Sequence, residues 1–365
     1  MSHRPVPRLP AMLIIGLVLS LLTVAAGALT APASGAPARI ATPARIATPA
    51  RIATPARIAT PARVAPPSTM KTARTMTPAR AVTLASANIP AAAPSVVCAT
   101  ATGRHHALAS RMSRDIAAAL QGRSSIVGLK VADSRTGVTC KVHQGWHFHA
   151  ASIAKVIILG ALLRHLMAKH RDLSPDQVTL TTQMITESSN SAATTLWDEV
   201  GRRHLQRFLN LAKMTHTHLG PGTYWGLTRV TAHDELRLLK QLKSRKSVLD
   251  KPSRSYALSL MASVIPSQRW GVTAGAPTKL TAHVKDGWLP DPVLWVINSI
   301  GLFTGQHRSY RIAVLTRGNP TMTYGVDTVQ AVAEVINHEL NPDATHVTPP
   351  SAPRSSWGTP DERIP

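Results

Sequence analysis

Acidic residues are scarce and unevenly placed in this 365-residue chain: none of its 18 Asp and Glu lies before residue 81, where ten of its 41 Lys and Arg fall. The remainder holds 31 cations against 18 acids, so the formal charge of +23 divides into a purely cationic leader and a +13 body. Aromatics make up only 4%, and no recognisable nucleic-acid module accompanies the pI near 11.3, which argues against nucleic-acid binding despite the charge. Cysteine is limited to Cys98 and Cys140, and neither a cysteine pair nor a His-Glu-x-x-His helix of metal-ligand spacing occurs, so no metal or other cofactor is expected. The clustered histidines His105-His106 and His147-Phe148-His149 read as surface groups. The apolar run Met12 to Ala26 is shorter than the ~20 residues of a stable membrane span.

That run follows Arg4 and Arg8 and precedes the small residues Ala26-Gly27-Ala28, an order that reads as a secretory signal over residues 1–28; an uncleaved anchor is the alternative. Residues 29–97 form a low-complexity tether in which Ala-Arg-Ile-Ala-Thr-Pro begins at Ala38, Ala44, Ala50 and Ala56. A proline every sixth residue blocks a continuous helix. Each repeat adds one arginine and no acid, so the tether is expected either to touch anionic wall polymers or to act as a soluble spacer. In a secreted or wall-associated chain, the even cysteine pair is expected to form a disulfide, with two buried thiols as the alternative. Residues 98–342 carry the globular pattern, and residues 343–365, rich in Pro, Ser and Thr, read as a disordered tail.

Within the domain, the patterns predict a helix over 109–121, a hairpin over 125–143 turning at Ser134-Arg135-Thr136-Gly137, and a helical block from Ser152 to about Leu242. Strands follow between His283 and Thr316, then a closing helix over 326–340. Terminal helices, an antiparallel sheet and an all-helical insertion give an α/β architecture of two lobes.

Three motifs carry chemistry. Ser152-Ile153-Ala154-Lys155 opens an apolar helical run, which places a hydroxyl and an amine one turn apart on one face; an unprotonated lysine there can take the serine proton. Ser188-Ser189-Asn190 interrupts a helical pattern and offers a second hydroxyl for a leaving amine and an amide for a substrate carbonyl. Lys285-Asp286-Gly287 ends a strand, where glycine lets a substrate backbone approach the sheet edge and lysine supplies positive charge.

In this order the motifs resemble the Ser-x-x-Lys, Ser-x-Asn and Lys-x-Gly set of class A beta-lactamases and penicillin-binding serine hydrolases, a likeness covering roughly Cys98 to Leu340. Gln268-Arg269-Trp270-Gly271 and Trp225-Gly226-Leu227-Thr228 are similar to phrases of a bacterial subgroup. The resemblance implies Ser152 as acylated nucleophile, Lys155 as its base and Ser188 as proton shuttle. It further implies substrate binding by Asn190, Lys285, Asp286 and Gly287, and an oxyanion hole from the backbone N–H groups of Ser152 and Trp288. The expected activity is hydrolysis of a beta-lactam amide through a Ser152 acyl-enzyme by a monomer. D,D-carboxypeptidase action on peptidoglycan and a catalytically weakened wall-binding role are the alternatives.

Two departures bear on that expectation. Asp286 stands where the family has a hydroxyl, and a carboxylate facing the cleft would repel one on the substrate, although strand alternation would turn it away from Lys285. Val200 to His233 contains no acid to serve as the loop glutamate of deacylation. Asp234 and Glu235 come first, and read as N-terminal helix acids. His216 and His218 lie in that stretch, where a neutral imidazole could activate a water, with surface histidines as the alternative.

Overall fold

The computed structural model describes residues 94–101, 103–291, 294–305 and 308–348. The signal segment and nearly all of the tether lie outside the described residues. The core of the domain is an antiparallel six-stranded sheet in the order β1-β3-β2-β8-β7-β6, built from β1 (Val97–Thr100), β2 (Ile126–Asp133), β3 (Val138–Val142), β6 (Thr281–Asp291), β7 (Leu294–Gly305) and β8 (Arg308–Asn319). Helix α1 (His106–Leu120) and the closing helix α7 (Met322–Leu340) cover one face. The Tyr310 hydroxyl donates to Asn337 of α7 at 2.7 Å. The next residue, Arg311, reaches the Leu236 carbonyl of α5 (Ala232–Lys243) on the other face at 3.3 Å, as strand alternation requires. The expected two-lobed α/β architecture, with an antiparallel sheet, terminal helices and an all-helical insertion, is what the structure shows.

The insertion comprises α2 (Ala154–Ala168), α3 (Pro175–Thr182), α4 (Asn190–Leu211), α5 and α6 (Lys251–Ala262), with β4 (Phe148–His149) and β5 (Arg229–Val230) pairing at its base. Helix α6 falls in a stretch the sequence reading left unassigned. Helix α2 is apolar on all sides from Val156 to Leu163, where Val156, Ile157, Ile158, Leu159, Leu162 and Leu163 are all buried, because this part runs through the middle of the domain. The segment Ala151–Ala168 is the one span among the described residues apolar enough to cross a membrane, yet 72% of it is buried inside the protein. Gly160 lets α2 meet α4 closely: a Cβ there would lie 2.5 Å from the Phe208 ring. Helix α4 is broken at Gly201, whose φ of 73° and ψ of 149° leave the helical region.

Cys98 and Cys140 face each other across β1 and β3 and are joined in a disulfide, tying the first strand to the hairpin. Residues 343–348 of the expected tail lie against the domain. The Val347 amide donates to the Ala276 carbonyl at 2.9 Å, the Thr278 amide to that of Thr345 at 2.9 Å, and the His346 ring lies between the Gly275 and Asn341 carbonyls. A chain with so few aromatics still spends His338 and His346 on a ring stack, centroids 3.8 Å apart, at this boundary.

Asp234 and Glu235 do stand in the first turn of α5, where the helix dipole favours them, but both are fully buried. Asp234 accepts from the amide of His216 at 2.8 Å and the hydroxyl of Thr217 at 3.0 Å, so it also anchors the loop before the helix. Neither carboxylate oxygen of Glu235 has a hydrogen-bond partner among the described residues, and burial, reinforced by Asp234, raises its pKa well above the ordinary value. A carboxyl raised in the folded state keeps its proton where the unfolded chain has lost it. Stability therefore falls as pH rises above about 4.3, by about 1.4 kcal/mol per pH unit, until the folded value is passed. Glu235→Gln is expected to flatten this dependence, measured as the melting temperature between about pH 5 and pH 7; parallel curves for the two proteins would show that Glu235 is ionised in the fold.

Candidate active site

Ser152 lies in a 3-10 turn, Ala151–Ile153, that runs directly into α2. The residue before it, Ala151, is buried with φ at +49°, a left-handed conformation that costs alanine about 1 kcal/mol or more and persists only where surroundings enforce it. Here Asn298 enforces it from β7, its amide nitrogen donating to the carbonyls of His149 at 2.8 Å and Ala150 at 3.1 Å, while the Ala150 amide donates to Thr228 at 2.7 Å. Ser152 itself is only partly covered.

Lys155, one turn later, is completely buried. Its Nζ lies 3.0 Å from Ser152 Oγ, 3.0 Å from Ser188 Oγ, 2.6 Å from the Ser188 carbonyl and 2.8 Å from Asn190 Oδ1. Ser188 reaches it because a π-helical turn, Gln183–Glu187, ends there with Ser188 at φ +61°. Ser188 and Asn190 thus converge through a helix break and a new helix start rather than along an extended segment. The Gln268 side chain donates to the Glu187 carbonyl at 2.9 Å, and the Ile265 amide to that of Thr186 at 3.0 Å, which holds the turn against the 265–271 loop.

From the sheet, Lys285 Nζ donates to Ser188 Oγ at 2.9 Å and to the Asp286 carbonyl at 3.0 Å. Two ammonium groups therefore converge on one hydroxyl. Burial first, and Lys285 second, push the Lys155 amine well below the ordinary lysine range. Burial also lowers Lys285, against the opposing pull of Asp286. Strand β6 continues through Gly287, where a Cβ would stand 2.7 Å from the Ser152 nitrogen and 3.0 Å from that of Ile153. Only glycine permits this approach of the strand to Ser152.

The Asp286 side chain points away from the other residues expected to bind substrate. It is fully buried and accepts from Ser299 Oγ at 2.5 Å, and Ser299 in turn accepts from the Val272 amide at 2.9 Å. Gly271, at φ +70°, closes over this pair. Strand alternation sends the carboxylate away from the Lys285 side, so the repulsion of an anionic substrate considered above does not arise. Burial raises its pKa, while the Ser299 hydrogen bond opposes that rise.

The acid-free loop places Trp225 beside Lys155, the ammonium 4.7 Å from the centre of a ring, with the indole N–H donating to Thr194 at 3.1 Å. Trp225 is buried; an aromatic face rather than a carboxylate covers this flank of the amine. His216 and His218 engage other groups: His147 Nε2 lies 3.0 Å from the His216 carbonyl and its ring 5.2 Å from that of His218, while backbone bonds of 2.8 and 2.9 Å pair His218 with Arg229. Two positions escaped the sequence reading: Trp225 as a neighbour of Lys155, and Asn298 as the clamp behind Ser152. An asparagine amid the apolar run Val296-Ile297-Asn298 was the available signal for the second.

Two hydroxyls and two lysines are gathered between sheet and helical lobe, in a fold of the beta-lactamase/transpeptidase-like type. Residues 176–340 match the model of the beta-lactamase enzyme family. The match begins after Ser152 and Lys155, so their place in the site rests on the geometry above. Among solved structures, a class A beta-lactamase from Bacteroides cellulosilyticus is similar at 15% identity and TM-score 0.56, over 64% of this chain and 98% of its own. A beta-lactamase from Sphaerobacter thermophilus is similar at 18% and 0.54, over 65% and 99%. A variant of PBP-A captured as an acyl-enzyme with penicillin G is similar at 17% and 0.56, over 64% and 97%. At these identities the likeness is one of fold. No curated protein sequence matches the chain significantly.

Proposed function

We propose that this protein is a secreted serine acyl hydrolase that opens a beta-lactam-type cyclic amide through an acyl-enzyme on Ser152. The observation that carries the reading is the position of Lys155 Nζ, 3.0 Å from each of the two hydroxyls. In its neutral form Lys155 accepts the Ser152 proton as Oγ attacks the carbonyl carbon. The proton then passes through Ser188 Oγ to the departing amide nitrogen, so the C–N bond breaks with charge conserved. Lys285 holds Ser188 in place, Asn190 orients Lys155 and a substrate amide, and the backbone amides of Ser152 and Trp288 receive the developing oxyanion.

Release of the acyl group is expected to be slow. No acid lies between Val200 and His233, and Trp225 packs beside Lys155, which favours a penicillin-sensitive D,D-carboxypeptidase-type enzyme over an efficient lactamase. Chasing the penicillin adduct by mass spectrometry after removal of free drug, beside a chromogenic cephalosporin and a D-alanyl ester, tests this. An adduct that persists while the ester is cleaved supports the reading, rapid cephalosporin turnover overturns the slow step, and no adduct with any substrate supports the wall-binding alternative instead.

The pH dependence follows from the paired lysines. Because Lys285 contributes to the depression of Lys155, removing its charge in Lys285→Met raises the Lys155 pKa. The base is neutral only above its pKa, so the acid limb of the acylation profile is expected to move to higher pH, with activity lost near neutrality and partly regained in alkali. The profile of acylation rate against pH checks this; a lower rate with an unmoved limb would show that Lys155 is not the titrating base.

A further inference from the structure

Away from this cleft, helices α2 and α4 form a second, shallow site. The tight contact of Gly160 with Phe208 draws the two helices together and leaves a cavity of about 140 Å³ beside it, walled by Arg164 and His165 from α2 and by His204 and Arg207 from α4, with Lys169 at its rim. The two imidazoles meet across it with centroids 3.9 Å apart. Arg203 stands next to His204 on the same helix. None of these cations forms an ion pair with any described residue. The charged groups acting on the two rings are all cationic, namely Lys169, Arg171, Arg203 and Arg207, with His204 acting on His165. A solvated basic face would spread such charges along a helix; here cationic side chains of two helices line one concavity that also holds a paired imidazole.

We infer that this groove is an anion site for a phosphoryl group, gripped by Arg164 and Arg207 with the His165–His204 pair between them. Guanidinium forks match phosphate oxygens in two directions at once, and an imidazole N–H adds donors that strengthen when the ring is charged. Burial first, and the neighbouring cations second, hold both imidazoles below their ordinary value. A bound dianion cancels that repulsion, so phosphate uptake and ring protonation are linked and affinity rises as pH falls. The same chemistry is offered by soluble phosphate or a phosphate ester, and by the headgroup of an anionic lipid.

The test uses the full chain and inorganic phosphate as probe, followed by the ring resonances of His165 and His204 in NMR spectra. Saturable shifts of both rings toward the protonated position are expected, with affinity for the phosphate dianion, corrected for the probe's own protonation, higher near pH 6 than near pH 8. The response should be lost in the double variant Arg164→Ala/Arg207→Ala and its pH dependence lost in His165→Gln/His204→Gln. Penicillin acylation should be unchanged in both variants, which also reports that they fold. Rings that do not respond to millimolar phosphate, or respond equally in the arginine variant, overturn the proposal. Vesicles containing phosphatidylglycerol separate the sources. Retention that falls in the arginine variant, whose tether is intact, assigns a lipid headgroup, and equal retention of both proteins beside a phosphate response assigns a soluble phosphate.

Discussion

Lys155→Ala is expected to slow acylation of Ser152 by about 10²- to 10⁴-fold, the usual contribution of a positioned general base. The effect should be large because no other amine can take over the role. Lys285 bonds to Ser188 and to its own strand, whereas the hydrogen bond to Ser152 Oγ comes from Lys155. The variant also removes a buried amine that four oxygens surround, so its folding is to be checked by its melting temperature. Stopped-flow or quenched mass-spectrometric time courses with penicillin give the rate. A loss of less than about tenfold in a folded variant would mean that the serine is activated by something else.

Gly287→Ala is expected to cost about 10²- to 10³-fold in acylation, comparable to losing one oxyanion donor. The added Cβ would stand 2.7 Å from the Ser152 nitrogen and 3.1 Å from the Ala150 carbonyl. Both are backbone atoms, and Asn298 holds the Ala150 carbonyl, so the strand must retreat from Ser152 and carry the Trp288 amide with it. The position of the strand relative to Ser152 matters for rate more than for folding, since the six-stranded ladder pairs on β7 through the neighbouring residues. The discriminating result is a fall in the acylation rate constant with little change in melting temperature. An unchanged rate would show that the amides of Ser152 and Trp288 do not form the oxyanion site.

Much of this was legible in the sequence because the relevant periodicities are local. Ser152 and Lys155 share a helix face by spacing alone, the hairpin turn at Ser134–Gly137 carries its own turn residues, and the β7 and β8 runs are apolar enough to read as strands. Strand alternation even gave the correct alternative for Asp286, whose carboxylate turns to Ser299. What the sequence withheld depends on contacts between distant segments. The indole of Trp225 meets Lys155 across 70 positions, and Asn298 braces Ala150 across 148; no pattern within either segment reports its partner. Helix α6 went unassigned because its buried residues, Ala257, Leu260 and Met261, make too narrow a stripe to stand out. Pro- and Thr-rich composition after residue 342 reads as solvated chain, whereas the His346 ring lies against two carbonyls of the domain.

The central claim is that distant segments prime one alcohol, that of Ser152, for attack on an amide. Intact-mass spectrometry of the full chain after incubation with penicillin G, repeated on Ser152→Ala, tests it most directly. The account expects a single adduct of the drug's full mass, mapping to the peptide that contains Ser152 and absent from the variant. An adduct that survives in Ser152→Ala, or one that maps to another residue, would contradict it.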